Sequence, residues 1–147
     1  MPIEGEYVPS SSQWVADQVA EYEASNGERA STLRDTGIPV IIVTMRGKSS
    51  GKVRKIALMR VEHDGDYALV ASIGGAPENP TWYHNIVADP HVMVQDGPEP
   101  HDYVAREIDG DEYDEWWERA VAVFPKYADY KAATERRIPV FVAERRD

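Results

Sequence analysis

The chain has 147 residues, 42% of them hydrophobic, and no cysteine; this suits one domain with one ordinary core and rules out disulfides, thiolate metal sites and thiol nucleophiles. A formal net charge of -10 opposes attraction to phosphate backbones, so nucleic acid is not an expected partner. The N-terminus lacks a basic start followed by an apolar run, and no apolar stretch nears the ~20 residues that span a bilayer, so a soluble, cytoplasmic protein without a transmembrane segment is expected.

Ser10 and Gln13 offer a capping pair, and Val15, Val19 and Tyr22 then recur at helical spacing, predicting a first helix that ends near Ala24 before Asn26-Gly27. Residues 38–45 form a β-branched, almost wholly apolar run of strand length. Gly47 and Gly51 bracket a turn, so residues 53–62 should return as a second strand, and Asp64-Gly65 should turn the chain into a third at 67–72. Three antiparallel strands in succession are therefore expected. Asn79-Pro80 reads as a cap with proline at the first helical position, and Trp82, Tyr83, Ile86 and Val87 give the short helix an apolar face before Asp89-Pro90 stops it.

Strands are expected at 92–95 and 103–108, separated by Gly97-Pro98. Asp109 and Glu112 make a capping pair for a long helix with Tyr113, Trp116, Trp117, Ala120, Val121 and Phe124 on one face. Pro125 breaks it, a tyrosine-bearing segment follows, and residues 140–143 should close the sheet. Consecutive strands with helices at the ends and in one connection predict an α+β domain on an antiparallel barrel, not alternating βαβ units.

The charge is unevenly spread. Arg46, Lys48, Lys52, Arg54, Lys55 and Arg60 occur between residues 46 and 60 with no acid among them, which marks a local anion site on an acidic protein. Residues 47–52 superficially match a phosphate-binding P-loop, but one residue is missing between the glycines and Val53 follows the lysine where Ser or Thr belongs. What remains is a basic hairpin tip that either cradles an anion or is simply solvated. His63, His84, His91 and His101 show no metal-ligand spacing, and Ser72 lacks the glycine two residues before it that a nucleophile elbow needs. The carboxylates of residues 107–118 read as the solvated face of the long helix. Phe124, Tyr127 and Tyr130 recur at i, i+3, i+6, which leaves two readings open: a flat-ligand pocket or packing on the barrel.

Larger blocks add to this. The runs Gly47-Lys48-Ser49-Ser50-Gly51-Lys52-Val53-Arg54, Leu58-Met59-Arg60-Val61, Ala71-Ser72-Ile73-Gly74-Gly75-Ala76 and Asn79-Pro80-Thr81-Trp82-Tyr83-His84-Asn85 occur in order, followed by Phe124-Pro125-Lys126-Tyr127-Ala128-Asp129-Tyr130 and Arg137-Ile138-Pro139-Val140. Together they resemble the deazaflavin-dependent nitroreductase family over about residues 38–143. The resemblance implies a split β-barrel of the FMN-binding split-barrel type, with residues 1–35 as an N-terminal helical segment and 36–147 as the cofactor-binding barrel. It also implies coenzyme F420, an 8-hydroxy-5-deazaflavin carrying a phosphate and an oligoglutamate tail. Lys48, Ser49, Ser50 and Arg54 match positions that grip the phosphate, and Lys52 and Lys55 are placed to attract tail carboxylates.

Ile56, Ala57, Leu58 and Met59, with Val70, Ala71, Ser72 and Ile73, match strands that lie along the ring. Thr81, Trp82, Tyr83 and Asn85 match the other ring-side block. Ser72 and Tyr130 are the candidate catalytic residues, and Trp14, Phe124, Tyr127 and Tyr130 the candidate acceptor pocket. Ser49 replaces a lysine or arginine common in the family, while Ile73 and Phe124 replace a lysine and a tyrosine of some members and so change the acceptor pocket. The implied reaction is hydride transfer from the reduced deazaflavin to a quinone, nitroaromatic or conjugated enone or lactone, by a monomer or homodimer with peripheral membrane contact left open. An FMN-dependent oxidoreductase and a non-catalytic carrier of F420 or another heterocycle are the alternatives.

Overall fold

The computed structural model describes residues 3, 5–9, 13–32, 38–71, 80–125, 127–129 and 138–146. Among these the elements run α1 (Gln13–Ala24), β1 (Val40–Arg46), β2 (Val53–Met59), β3 (Glu62–His63), β4 (Asp66–Val70), α2 (Thr81–Ala88), β5 (His91–Gln95), β6 (Pro100–Glu107), α3 (Gly110–Val123) and β7 (Val140–Arg145). The strands join in one antiparallel sheet in the order β2-β1-β5-β6-β7-β4-β3.

That order corrects the expected three-strand meander. The return strand breaks at Arg60 and Val61: β2 stays with β1, β3 pairs with β4, and β4 takes β7 as its other neighbour. Two backbone bonds hold the bend, Arg60 N to Pro39 O at 2.8 Å and Ala68 N to Val61 O at 2.8 Å. The edge strands β2 and β3 are thus two halves of one segment, and the sheet must curl until its edges meet there. A straight strand over 53–62 would have left both edges open to pairing with other chains.

Strand parity sorts the apolar side chains into layers. Ile41, Val43 and Met45 of β1, Tyr67 and Leu69 of β4, and Phe141 and Ala143 of β7 face inward, with Ile56, Leu58 and the α2 residues Trp82 and Tyr83 packed against them. Val40 and Ile42 face outward onto Val19 and Tyr22 of α1. Burial on both faces explains why β1 reads as an unbroken apolar run. Ala68, Val70, Val140 and Val142 face α3 through Tyr113, Trp116, Trp117 and Ala120. The Tyr113 and Trp117 rings stack at 5.9 Å, and Tyr113 donates its hydroxyl hydrogen to Ile138 O at 2.6 Å.

Two caps differ from expectation. Asp109 occupies the N-cap of α3, yet its side chain makes no capping bond, and Glu112 binds Arg106 through both oxygens at 2.7 and 2.6 Å. A bidentate guanidinium pair outcompetes a reach back to one backbone amide. In α2 the N-cap is Pro80 itself, one residue later than predicted, and Asn79 lies outside the described residues, as do Ser10 to Ser12. The C-terminal end of α1 meets the β5–β6 turn at Gly27, which has a φ of +83°; a Cβ there would lie 2.8 Å from Gly97 Cα. Tyr22 clamps the same junction, accepting from Gly97 N at 2.7 Å and donating to Gln95 O at 3.3 Å.

Candidate functional site

The β1–β2 hairpin carries the basic cluster. Its tip is closed by Gly47 N donating to Lys52 O at 2.8 Å and Gly51 N to Gly47 O at 3.0 Å, a compact turn that needs the positive φ of Gly51, +71°. Arg46 adds a bond from Nη1 to Gly51 O at 2.9 Å. The tip leaves Lys48, Ser49 and Ser50 exposed. It is docked on the barrel by one buried side chain. Asn85 of α2, 8% exposed, accepts from Lys48 N at 2.9 Å, and its Nδ2 lies 3.8 Å from Met45 Sδ.

Between this hairpin and α2 lies a cleft of about 390 Å³ lined by Met45, Arg54, Lys55, Ile56, Thr81, Trp82 and Asn85. Six of the seven are sequence-expected cofactor residues, brought together from two separate segments of chain, β2 and α2. Met45 is the one the sequence reading missed. Its signal was parity, since Ile41, Val43 and Met45 alternate along β1 onto the face that holds Ile56. The cleft has two cations, Arg54 and Lys55, together with apolar walls and a buried amide, which is the composition a flat ligand with an anionic handle requires.

The other expected residues are placed as follows. Leu58 joins the inner cluster beside Ile56. Ala57 faces α1, and Met59 packs on the cluster beneath α3. Val70 and Ala71 are buried, with Val70 turned toward α3 and Ala71 N donating to Pro139 O at 2.9 Å. Their side chains line no part of the cleft. Tyr83 packs on Phe141 at 5.5 Å and donates its hydroxyl hydrogen to Glu107 Oε1 at 2.9 Å. Lys52 and Lys55 make ion pairs, with Glu6 at 2.7 Å and Glu23 at 2.5 Å.

The expected acceptor pocket is not gathered in the same way. Phe124 and Tyr127 are closed into the α3 cluster, their rings 5.0 Å apart and Tyr127 5.9 Å from Trp117. That is the packing alternative of the two readings the pattern left open. Trp14 is 43% exposed and borders a separate depression with Gln18, Ala30 and Thr32. Ser72, Ile73 and Tyr130 lie outside the described residues. At the far end of the barrel a polar cavity of about 280 Å³ is bordered by Tyr67, Asp96, Tyr103 and Arg145. Tyr67 and Arg60 both donate to Asp96 Oδ2 at 2.7 Å. Burial, reinforced by the hydrogen bond to Asp96, pushes the Tyr67 phenol far above its ordinary value, so it stays protonated.

The model of the F420H(2)-dependent quinone reductase family matches residues 14–145. The chain belongs to that family. The oxidoreductase class and the deazaflavin cofactor expected from the sequence come with membership. An F420H(2)-dependent quinone reductase of Mycobacterium tuberculosis is 29% identical over 130 residues, covering 86% of this chain and 87% of its own. Among solved structures, an F420-H2 dependent reductase, FDR-A, superposes with a TM-score of 0.69 at 50% identity over 72% of this chain and 94% of its own. A chain described as a domain-swapped dimer gives a TM-score of 0.72 at 43% identity, covering 92% of this chain and 100% of its own. A FAD-binding protein of Mesorhizobium loti shares the fold alone, with a TM-score of 0.52 at 15% identity over 76% of this chain and 84% of its own. The α+β split barrel read from the sequence is therefore the fold of this F420H(2)-dependent quinone reductase family member. No helix among the described residues is long and apolar enough to cross a membrane.

Proposed function

We propose that this chain passes a hydride from reduced F420 to a quinone, with the cofactor held in the cleft between the β1–β2 hairpin and α2. The observation that carries the reading is the convergence of Arg54, Ile56, Thr81, Trp82 and Asn85 on one cleft beside the exposed cations of the hairpin tip. Bound there, the reduced deazaflavin supplies the hydride from its own ring carbon. The chain's residues bind, orient and exclude water. Lys48 and Arg54 make charge-assisted bonds to the phosphate, and the Ser49 and Ser50 hydroxyls complete its shell. Asn85 sets the height of that cradle by holding the Lys48 amide. Met45, Ile56 and Trp82 give the ring a dry wall; Ala57, Leu58, Met59, Val70 and Ala71 support the strands behind it, and Thr81 and Tyr83 flank it.

Ser72, two positions after the last residue of β4 in the sequence, is the residue assigned to hydrogen-bond the acceptor or deliver a proton. Tyr130 and Trp14 are assigned to the acceptor side, while Phe124 and Tyr127 back it from the α3 cluster in which they are packed. Quinone is preferred to nitroaromatic or enone acceptors because the family, and a mycobacterial protein similar to this chain, bear that name. The deciding experiment titrates purified protein with oxidised and reduced F420, flavin mononucleotide and nicotinamide cofactors, then offers the loaded protein a panel of benzoquinones, naphthoquinones, nitroaromatics and enones. F420 binding with fastest turnover on quinones is expected. A protein purified yellow with flavin, or one that binds F420 and reduces nothing in the panel, refutes the assignment.

A further inference from the structure

The basic hairpin divides its cations between two faces. Arg54 lines the cleft, Lys52 turns to the N-terminal segment, and Lys55, at the cleft's border, pairs with α1. Residues 6–8 run as a strap along the edge strand β2, with Val53 N donating to Glu6 O at 2.8 Å, Val8 N to Val53 O at 2.9 Å, and Tyr7 in a parallel bridge to Val53. The strap delivers Glu6 to Lys52, with Nζ 2.7 Å from Oε2. Glu23 of α1 reaches Lys55 at 2.5 Å, and the Lys55 ammonium also lies over the Tyr7 ring, 5.0 Å from its centroid. Lys55 borders the cleft and also an adjoining cavity of about 370 Å³ lined by Tyr7, Glu23, Thr44 and Val53. Edge strand β2 thus separates two hollows that share one lysine.

We infer that Glu6 and Glu23 are built-in competitors for the carboxylate tail of the cofactor, holding Lys52 and Lys55 in ion pairs that an incoming tail must exchange for its own. The inference rests on the proposed cofactor site. A phosphate held by Lys48 and Arg54 leaves the tail to start at the hairpin, and Lys52 lies two strand residues from Arg54, ~7 Å away. The first carboxylates beyond the phosphate therefore arrive at lysines already satisfied. Replacing one carboxylate by another at the same ammonium changes the free energy little, so the native protein should be nearly indifferent to the tail. Electrostatic grip then resides in the phosphate, and tail length is tolerated instead of selected.

The test is a binding measurement. Dissociation constants are obtained by fluorescence for the phosphate-bearing cofactor without glutamates and for the form with several. The proteins are wild type, Glu6→Gln/Glu23→Gln, and Glu118→Gln on the exposed face of α3 as a charge control. Glutamine keeps side-chain length, and the strap's bonds to Val53 are backbone bonds, so it should stay in place. Wild type should bind both forms within about twofold. The double variant should bind the tailed form about three- to tenfold tighter, since each freed lysine gains an exposed-to-half-buried ion pair, with no change for the tailless form. An unchanged affinity for the tailed form, or an equal tightening of both forms, overturns the competition. A wild-type protein that binds neither form removes the cofactor site itself, a distinct result.

Discussion

Replacing Asn85 separates the positioning of the hairpin from its charge. In the native protein its Oδ1 accepts the Lys48 amide at 2.9 Å, while the side chain is almost wholly buried beside Met45. Asn85→Ala removes that acceptor but no cation. Because Lys48 is exposed, water satisfies its amide, so the loss is the net worth of one hydrogen bond, about 0.5–1.5 kcal/mol. As this bond holds the cradle where the phosphate needs it, the same amount should appear as a two- to tenfold weaker affinity for F420. Asn85→Asp keeps the acceptor and the shape but brings a negative charge to the phosphate end of the cleft. It should bind the cofactor more weakly than Asn85→Ala even though the loop stays docked. Fluorescence titration, with thermal unfolding in parallel, checks both. If Asn85→Ala lowers the melting temperature while leaving cofactor affinity untouched, the residue is ordinary core and the positioning argument fails.

Other perturbations follow from the same geometry. The double variant Lys48→Ala/Arg54→Ala should weaken cofactor binding by about 3 kcal/mol, a hundredfold or more, if both make charge-assisted phosphate bonds; an unchanged dissociation constant refutes that. Gly27→Ala should destabilise the fold by about 1–3 kcal/mol, since alanine is strained at a φ of +83° and its Cβ would press on the Gly97 backbone; denaturant unfolding with an unaltered midpoint would show that the junction relaxes freely. The Arg106 guanidinium beside Glu112 holds its carboxyl below the ordinary carboxylate value. A depressed folded pKa means the contribution is fully present above the unfolded value and lost as pH falls through the folded one. The stability gap between wild type and Glu112→Gln should therefore be small but measurable above about pH 5 and close on further acidification. A gap that widens in acid contradicts the pairing.

Much of the molecule was legible from local chemistry. Glycines at 47, 51 and 65 located the two hairpin turns; at Gly51 and Gly65 the turn takes a positive φ, which admits few other residues. The spacing of Tyr113, Trp116, Trp117 and Ala120 located the buried stripe of α3, since the helical period alone decides which side chains share a face. The basic hairpin was equally visible, as charge is a property of composition. What the residues could not reveal was where those charges point. Lys52 and Lys55 read as binding residues, and their ion pairs with Glu6 and Glu23 depend on chain 32 to 46 positions away. Asn85 as the dock for Lys48, across 37 residues, is the same kind of fact.

By itself the sequence determined the element types, the turns, the uneven charge and the family likeness, because each depends on residues near one another in the chain or on the order of short blocks. Only the tertiary structure decided that β2 and β3 part at Arg60 and Val61, that β4 finds β7, and that the hairpin leans on α2. Strand partnership depends on which apolar faces can be buried together, and a bend of two residues is enough to carry a strand from one edge of a sheet to the other.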